Sequence, residues 1–198
     1  MVVFGITGGS GSGKTSVSKM LEKLGVHIID TDVIAHEIVE PNSDCLNELV
    51  DYFGDSILND DKTLNRKKLA SIAFSDKQKT EALSNITHKY IKAEVVKDIN
   101  TTDAELVGID GAVIIGSNVE PLCEFIVSVI ADKQIRITRI KTRDNITDEQ
   151  AIQRINAQND DEFYKENSMY IIYNNGDIAQ LESDVVGLFN KIKGNSFE

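Results

Sequence analysis

Eight residues near the start of the chain, residues 8–15, have the types and the spacing of a phosphate-binding loop. They match the pattern G-x-x-x-x-G-K-[ST] and follow an apolar run at residues 2–6. Glycines let successive backbone N–H groups point at one anion, and the N-terminus of the following helix attracts negative charge. In such a loop the lysine reaches the β- and γ-phosphates, and the threonine hydroxyl ligates Mg²⁺. We therefore predict a nucleoside triphosphate site, with Thr15 as a magnesium ligand, at Gly9, Ser10, Gly11, Ser12, Gly13, Lys14 and Thr15.

Two carboxylates, Asp30 and Asp32, follow the second apolar run at residues 26–29. In open parallel sheets, ligands bind beyond the carboxyl ends of the strands, so a carboxylate here would face the same crevice as the loop. Asp32 is therefore a candidate to accept the proton of an attacking hydroxyl. In the alternative interpretation Asp32 only caps the helix that begins at Val33, although Asp30 or Thr31 could fill that role as well.

A run of five cations without an acid stands out in a chain whose net charge is −11. The run follows the fourth predicted strand and therefore lies at the edge of the sheet that carries the loop. We predict a lid whose arginines neutralise a transferring phosphoryl group when the site is closed. The alternative is a solvated helix face. The five residues are Lys133, Arg136, Arg139, Lys141 and Arg143.

Two weaker candidates are a second basic cluster and one further carboxylate. The cluster could meet an anionic acceptor substrate, or it could be an ordinary exposed helix start. Asp110 ends the third predicted strand and is a candidate partner of Mg²⁺, whereas the alternative is a turn residue before Gly111. The cluster consists of Lys62, Arg66, Lys67 and Lys68.

The elements that must position these residues alternate along the chain, which predicts an α/β protein with a doubly wound, parallel, five-stranded sheet. Short apolar runs predict strands, and apolar residues at helical spacing, with capping residues before them, predict helices. Ser43, Ser75 and the capping box that starts at Thr147 mark three helix starts. Strands are predicted at 2–6, 26–30, 104–110, 125–131 and 169–173. Helices are predicted at 14–24, 33–39, 43–53, 65–74, 75–99, 147–158 and 177–191.

Composition restricts the class of protein. With 198 residues, 41% of them apolar and 27% charged, the chain is typical of one soluble globular domain, with room for an inserted lid. No apolar run has the length of a membrane span, and the N-terminus has no signal-peptide pattern, so we expect a cytoplasmic protein with no membrane partner. The acidic net charge disfavours nucleic acid as a partner. Cys45 and Cys123, both in apolar surroundings, are predicted to be buried free thiols.

In this order, the motifs resemble those of the dephospho-CoA kinase family, and the resemblance spans nearly the whole chain. The phosphate loop alone is shared by many kinases. Two other motifs are far more specific to the family. They are Asp30-Thr31-Asp32-Val33-Ile34-Ala35-His36 and Leu64-Asn65-Arg66. Further matches are Phe53-Gly54, Ala73-Phe74-Ser75, Arg139 with Arg143-Asp144, Arg154-Ile155 with Gln158, and Asn174 with Gly176.

The resemblance implies ATP-dependent phosphorylation of the ribose 3′-hydroxyl of dephospho-CoA, with Mg²⁺ as cofactor. It implies a single P-loop kinase domain over residues 1–198, with a helical CoA-side region at about 43–100 and a lid at about 133–165. Asp32 matches the family's catalytic base. The other implied roles are phosphate and magnesium binding by Lys14 and Thr15, lid arginines at Arg139 and Arg143, adenine contacts at Asn174 and Gly176, and acceptor contacts at Arg66 and His88.

The chain departs from the family pattern on the acceptor side. Residues 110–116 stand where the family has a Pro-Leu-Leu-Phe-Glu word, and His88-Lys89 replaces a His-Pro pair. Glu120 is a candidate to supply the missing carboxylate. Another small-molecule P-loop kinase and a non-catalytic nucleotide-binding relative are the alternatives. A GTPase is disfavoured because no Asn-Lys-x-Asp motif is present.

Overall fold

The computed structural model describes residues 1–195, and a five-stranded parallel sheet lies at the centre of this part of the chain. The strand order is β2-β3-β1-β4-β5. The chain therefore builds the sheet outward from β1 on both sides, as predicted for a doubly wound fold. Parallel pairing joins β1 to β3 and to β4, and β4 to β5. The strands are β1 (Val2–Thr7), β2 (His27–Asp30), β3 (Leu106–Asp110), β4 (Phe125–Ile130) and β5 (Tyr170–Tyr173).

Helices connect the strands, and most of their starts agree with the predicted caps. Ser43 and the Thr147 capping box each accept the expected backbone N–H, and Asn65, the predicted start of its helix, is the cap that accepts the Lys68 N–H. Ser75 was predicted wrongly as a cap, because Asp76 accepts the N–H groups of Gln78 and Lys79 instead. The helices are α1 (Lys14–Lys23), α2 (Thr31–Glu37), α3 (Asp44–Phe53), α4 (Arg66–Ala73), α5 (Lys77–Thr101), α6 (Lys133–Asp144), α7 (Asp148–Asn156), α8 (Asp161–Glu166) and α9 (Ile178–Asn195).

The chain packs as two compact units, and the first consists of residues 1–29 with those from 102 onward. Its core lies between the sheet and helices α1 and α9, where Phe4, Leu21, Val127 and Leu188 are buried together. All residues of β3 are buried, as expected for a parallel strand that helices cover on both faces. Burial on both faces explains why β3 and β4 are continuous apolar runs.

The second unit, Asp30–Thr101, is helical and comprises α2 to α5. Its core includes Leu49, Ile57, Leu69 and Ile86. A polar cluster at its surface joins α3 to α5, where the Glu48 carboxylate accepts hydrogen bonds from Lys89 Nζ and Tyr90 Oη. This unit contains the whole of the region predicted to be helical at residues 43–100.

Both cysteines are free thiols, but only one is fully buried. Cys45 is buried in the helical unit, and burial raises the pKa of its thiol to about 11. Cys123 is half-buried, which corrects the prediction of full burial, although desolvation still raises the pKa of its thiol to about 12. Among residues 1–195, no helix combines the length and the apolar character needed to cross a membrane.

Candidate active site

The predicted phosphate loop connects β1 to α1, and its glycines are required by close contacts. Gly13 has a φ of 96°, and a Cβ atom there would overlap the Asn174 side chain. At Gly9 a Cβ atom would overlap the guanidinium group of Arg136. Both glycines therefore let other elements of the unit approach the loop backbone closely.

The second half of the loop presents backbone donors that no protein group uses. Ser10 N–H donates to Gln158 Oε1 (2.7 Å), and Ser12 N–H donates to the Gly9 carbonyl (3.0 Å). Among residues 1–195, no protein acceptor is hydrogen-bonded to four further N–H groups, two in the loop and two in the first two residues of α1. Unused donors at a helix N-terminus form a site for an anion such as a phosphate group. These donors belong to Gly11, Gly13, Lys14 and Thr15.

Lys14 forms an ion pair with Asp110, which is the last residue of β3. The pair forms because Asp110 lies beside Ile6 in the β1–β3 register, next to the start of the loop. The side chains of Lys14 and Asp110 are only 14% and 4% exposed. The structure thus brings together a cation and a carboxylate that the sequence analysis assigned to phosphate and Mg²⁺.

Arg139 of α6 joins the loop to the turn after β5. Its guanidinium group donates to the carbonyl groups of Gly11 (3.3 Å) and Ser12 (3.2 Å) and to two oxygens of Asn174. Asn174 is itself buried, and its Nδ2 donates to the Ser12 carbonyl at 2.8 Å. One side of the loop therefore meets two residues that were predicted to lie at the ATP site. Gly176 follows two residues later and lines the same small pocket as Gly13 and Arg139.

Arg143 lies one turn beyond Arg139 on α6, and its described contacts are to a different residue. Its guanidinium group donates two hydrogen bonds to the neighbouring Asp144 (2.7 and 2.9 Å). Arg154 of α7 binds the same carboxylate. Hydrogen bonds from Arg143, and then from Arg154, hold the pKa of Asp144 at about 2. In this structure Arg143 is therefore part of the α6–α7 contact rather than of the loop.

Arg136 has the shortest hydrogen bond to the loop among the five clustered cations, and no motif in the sequence predicted an individual role for it. It is 4% exposed, and its Nε donates to the Ser10 carbonyl at 2.9 Å. Spacing of three and four residues places Arg136, Arg139 and Arg143 on one face of α6. That spacing could not show which of the three contacts the loop, because the answer depends on where α6 packs.

In the helical unit, Asp30 rather than Asp32 caps α2. The Asp30 carboxylate accepts the N–H groups of Asp32 (2.9 Å) and Val33 (3.1 Å), so α2 begins at Thr31, two residues earlier than predicted. The Asp32 carboxylate is exposed and takes no part in this cap. The interpretation of Asp32 as merely the helix cap is therefore wrong.

The predicted acceptor residues occupy separate helices of the same unit. Arg66 is the exposed first residue of α4, and His88 is half-buried on α5. In the other unit, the Glu120 carboxylate accepts the Gly116 N–H at 2.6 Å and so stabilises the segment that replaces the family's Pro-Leu-Leu-Phe-Glu word.

The residues at the loop fit Mg²⁺ bound together with a nucleotide. Within residues 1–195 no group of three or more His, Cys, Asp or Glu side chains could hold a metal by itself. Mg²⁺ does not need such a group, because it commonly keeps several waters and binds one or two protein ligands plus substrate phosphates. Thr15, in the exposed first turn of α1, and Asp110, beside Lys14, supply oxygens of the right kind.

Comparison with known proteins identifies the family of the chain. The family model "CoaE: Dephospho-CoA kinase" matches residues 2–180. The dephospho-CoA kinase of Lactobacillus johnsonii is 34% identical over 191 residues, which are 95% of this chain and 96% of that protein. The Listeria monocytogenes enzyme of the same name is also 34% identical, over 96% of this chain and 97% of its own.

A solved structure of the dephospho-CoA kinase from Campylobacter jejuni has a TM-score of 0.69 and 26% identity, with 98% of each chain covered. Because a family model covers most of the chain and relatives exceed 30% identity over nearly all of it, this chain belongs to the dephospho-CoA kinase family.

Proposed function

We propose that this protein transfers the γ-phosphoryl group of ATP to the ribose 3′-hydroxyl of dephospho-CoA, giving coenzyme A and ADP. The family sets the reaction. The observation that carries the proposal comes from the described part of the chain, residues 1–195, where the N–H groups of Gly11, Gly13, Lys14 and Thr15 have no protein acceptor and the Lys14 ammonium belongs to the same segment. This arrangement offers an anion both directed hydrogen bonds and a positive charge.

On the ATP side, we assign the N–H groups of the loop to the β-phosphate. Lys14 exchanges its ion pair with Asp110 for the β- and γ-phosphate oxygens when the nucleotide enters. Thr15 would hold Mg²⁺ directly, and Asp110, released by Lys14, would hold it through water. Bound Mg²⁺ neutralises charge that develops on the phosphate oxygens. Arg139 and Arg143 are assigned to the negative charge of the transition state, and Asn174 and Gly176 to the adenine side.

On the acceptor side, Asp32 orients the 3′-hydroxyl and takes its proton late in the transfer. Its carboxylate suits this role because Asp30 already caps α2, which leaves Asp32 exposed. In phosphoryl transfer the transition state is loose, so positioning and charge neutralisation lower the barrier more than the base does. Arg66 and His88 are assigned to binding the acceptor.

We propose that residues 1–198 form one kinase domain that works in the cytoplasm. In this domain, residues 43–100 bind the CoA side of the acceptor, and residues 133–165 form the lid. Both regions are helical, with α3 to α5 in the first and α6 to α8 in the second, and closure of such segments around a ligand is common in kinases.

The test is ADP release from ATP and Mg²⁺ with dephospho-CoA as acceptor and, in parallel, adenosine, uridine and AMP. We expect turnover with dephospho-CoA alone, together with a product that carries the new phosphate on the ribose 3′-oxygen. Turnover with another acceptor would assign the protein to a different small-molecule kinase activity. Tight MgATP binding without turnover on any acceptor would indicate a non-catalytic relative.

Arg139→Ala and Arg143→Ala are both expected to lower kcat while the KM for dephospho-CoA changes little, since charges of a lid act mainly in the closed state. For Arg139→Ala we expect a fall of roughly 10²-fold, as for loss of one transition-state donor. Arg143→Ala should have the smaller effect, because the guanidinium group of Arg143 is hydrogen-bonded to Asp144, whereas that of Arg139 is hydrogen-bonded to the loop. Steady-state kinetics of both variants, with the α8 surface variant Lys165→Gln as control, would check this. A rise in KM for dephospho-CoA with unchanged kcat would contradict the lid assignment.

A further inference from the structure

The first half of the phosphate loop rests on Arg136, a buried arginine of α6. We propose that Arg136 is a positioning residue for the transfer. It acts through Gly9 and Ser10 to keep the loop in the shape that binds MgATP, and it ties the loop to residues 158–161. The inference rests on the proposed use of this loop for ATP and adds a residue that no motif assigns to it.

The donors of Arg136 reach three residues in two segments, the loop and residues 158–161. Nε donates to the Ser10 carbonyl at 2.9 Å, one terminal nitrogen to Asp161 Oδ1 at 3.3 Å, and the other to Gln158 Oε1 at 3.4 Å. The guanidinium group is planar and rigid, so it fixes the relative positions of its acceptors. A lysine could not do this, because its ammonium group is a single point of contact.

At Arg136, the backbone of the loop packs closely against α6. The guanidinium group lies against Gly9, where even a methyl group would overlap it. A Cβ atom at Gly11 would lie 2.8 Å from the Arg136 carbonyl oxygen and 3.0 Å from its Cα atom. Two of the loop glycines therefore permit contact with Arg136, one with its side chain and one with its backbone.

Ser10 is consequently held at both of its backbone polar groups. Its carbonyl accepts from Arg136, and its N–H donates to Gln158, which Arg136 also contacts. The unused N–H groups that we assign to phosphate begin at the next residue. With Ser10 held in place, those donors already point in fixed directions before the nucleotide arrives, and preorganised donors bind charge without reorganisation.

The ion pair between Arg136 and Asp161 is buried on one side only, because the Asp161 carboxylate stays in contact with water. Asp161 is the first residue of α8, and its side chain is 40% exposed, whereas that of Arg136 is 5% exposed. An Arg136→Gln variant therefore leaves a carboxylate that solvent can stabilise, and we expect it to fold. The buried cation costs desolvation free energy, and the support of Ser10 gives a reason for its presence.

The experiment measures the MgATP dissociation constant by calorimetry without acceptor, together with the melting temperature. We expect Arg136→Gln to weaken MgATP binding at least about tenfold, since small misplacements of a site carry large effects. The KM for dephospho-CoA should stay near the wild-type value. The control is Glu182→Gln, which removes an exposed carboxylate from α9, outside both the lid and the CoA-side region. This control should bind MgATP as the wild type does.

The double variant Arg136→Gln/Asp161→Asn separates positioning from simple charge pairing. If Arg136 only neutralised Asp161, removing both charges would restore MgATP affinity as well as stability. We expect stability to recover while affinity stays low. Wild-type affinity in Arg136→Gln or in the double variant would overturn the proposal, and so would failure of both variants to fold. A wild-type protein that binds MgATP but does not phosphorylate dephospho-CoA would count against the proposed function alone.

Discussion

Lys14→Ala is expected to abolish phosphoryl transfer. Lys14 follows the loop directly as the first residue of α1, and it is the residue that we assign to the β- and γ-phosphates. Loss of one preorganised donor to a transition state commonly lowers kcat by roughly 10²- to 10³-fold, and loss of a charged contact to both phosphates should lower it at least as much. The measurement is ADP release under saturating MgATP and dephospho-CoA.

The variant also removes the cation beside a buried carboxylate, so its stability needs a separate measurement. Breaking a buried pair by deleting one partner costs about 3–5 kcal/mol. Lys14→Gln keeps a hydrogen-bond donor that can reach Asp110 and should fold better, yet it should be equally inactive. Lys19→Ala removes an exposed lysine of the same helix and should keep full activity. Near-normal turnover in a folded Lys14 variant would contradict the assignment of the active site.

Asp32→Asn is expected to lower kcat by roughly 10²- to 10⁴-fold, the range for loss of a general base. The folded state should change little, because the cap of α2 is provided by Asp30 and the Asp32 side chain is exposed. Substitutions at exposed positions away from such features usually change the free energy of unfolding by less than about 0.5 kcal/mol. Steady-state kinetics and a thermal melt of the same preparation check both statements.

Two neighbouring residues serve as controls for Asp32. Glu37→Gln removes a charge from the other end of α2 and should leave kcat unchanged. Asp30→Ala removes the cap, so it should lower the free energy of unfolding by about 1 kcal/mol. An Asp32→Asn enzyme with wild-type kcat, or one that loses MgATP affinity instead, would show that Asp32 is not the base.

Features that depend on short stretches of chain could be predicted from the sequence. The caps at Ser43, Asn65 and Thr147 bind N–H groups three residues away, and the strands of the buried sheet are short apolar runs. Ser75 was misjudged because Asp76 is an equally good cap one residue later. Which of two nearby residues caps a helix depends on small differences in local geometry. For the same reason, the sequence did not show whether Asp30 or Asp32 caps α2.

Residue type and spacing were enough to predict the phosphate loop, the alternating architecture and the family. Which cation supports the loop depends on tertiary packing between segments that are far apart in the chain. The Ser10 N–H bonds to Gln158, 148 residues away, and Arg136 and Arg139 reach the loop across more than 120 residues. Three arginines on one helix face are equivalent in sequence. They differ because the loop contacts α6 at Arg136 and Arg139, whereas Arg143 lies near the C-terminal end of α6, beside Asp144.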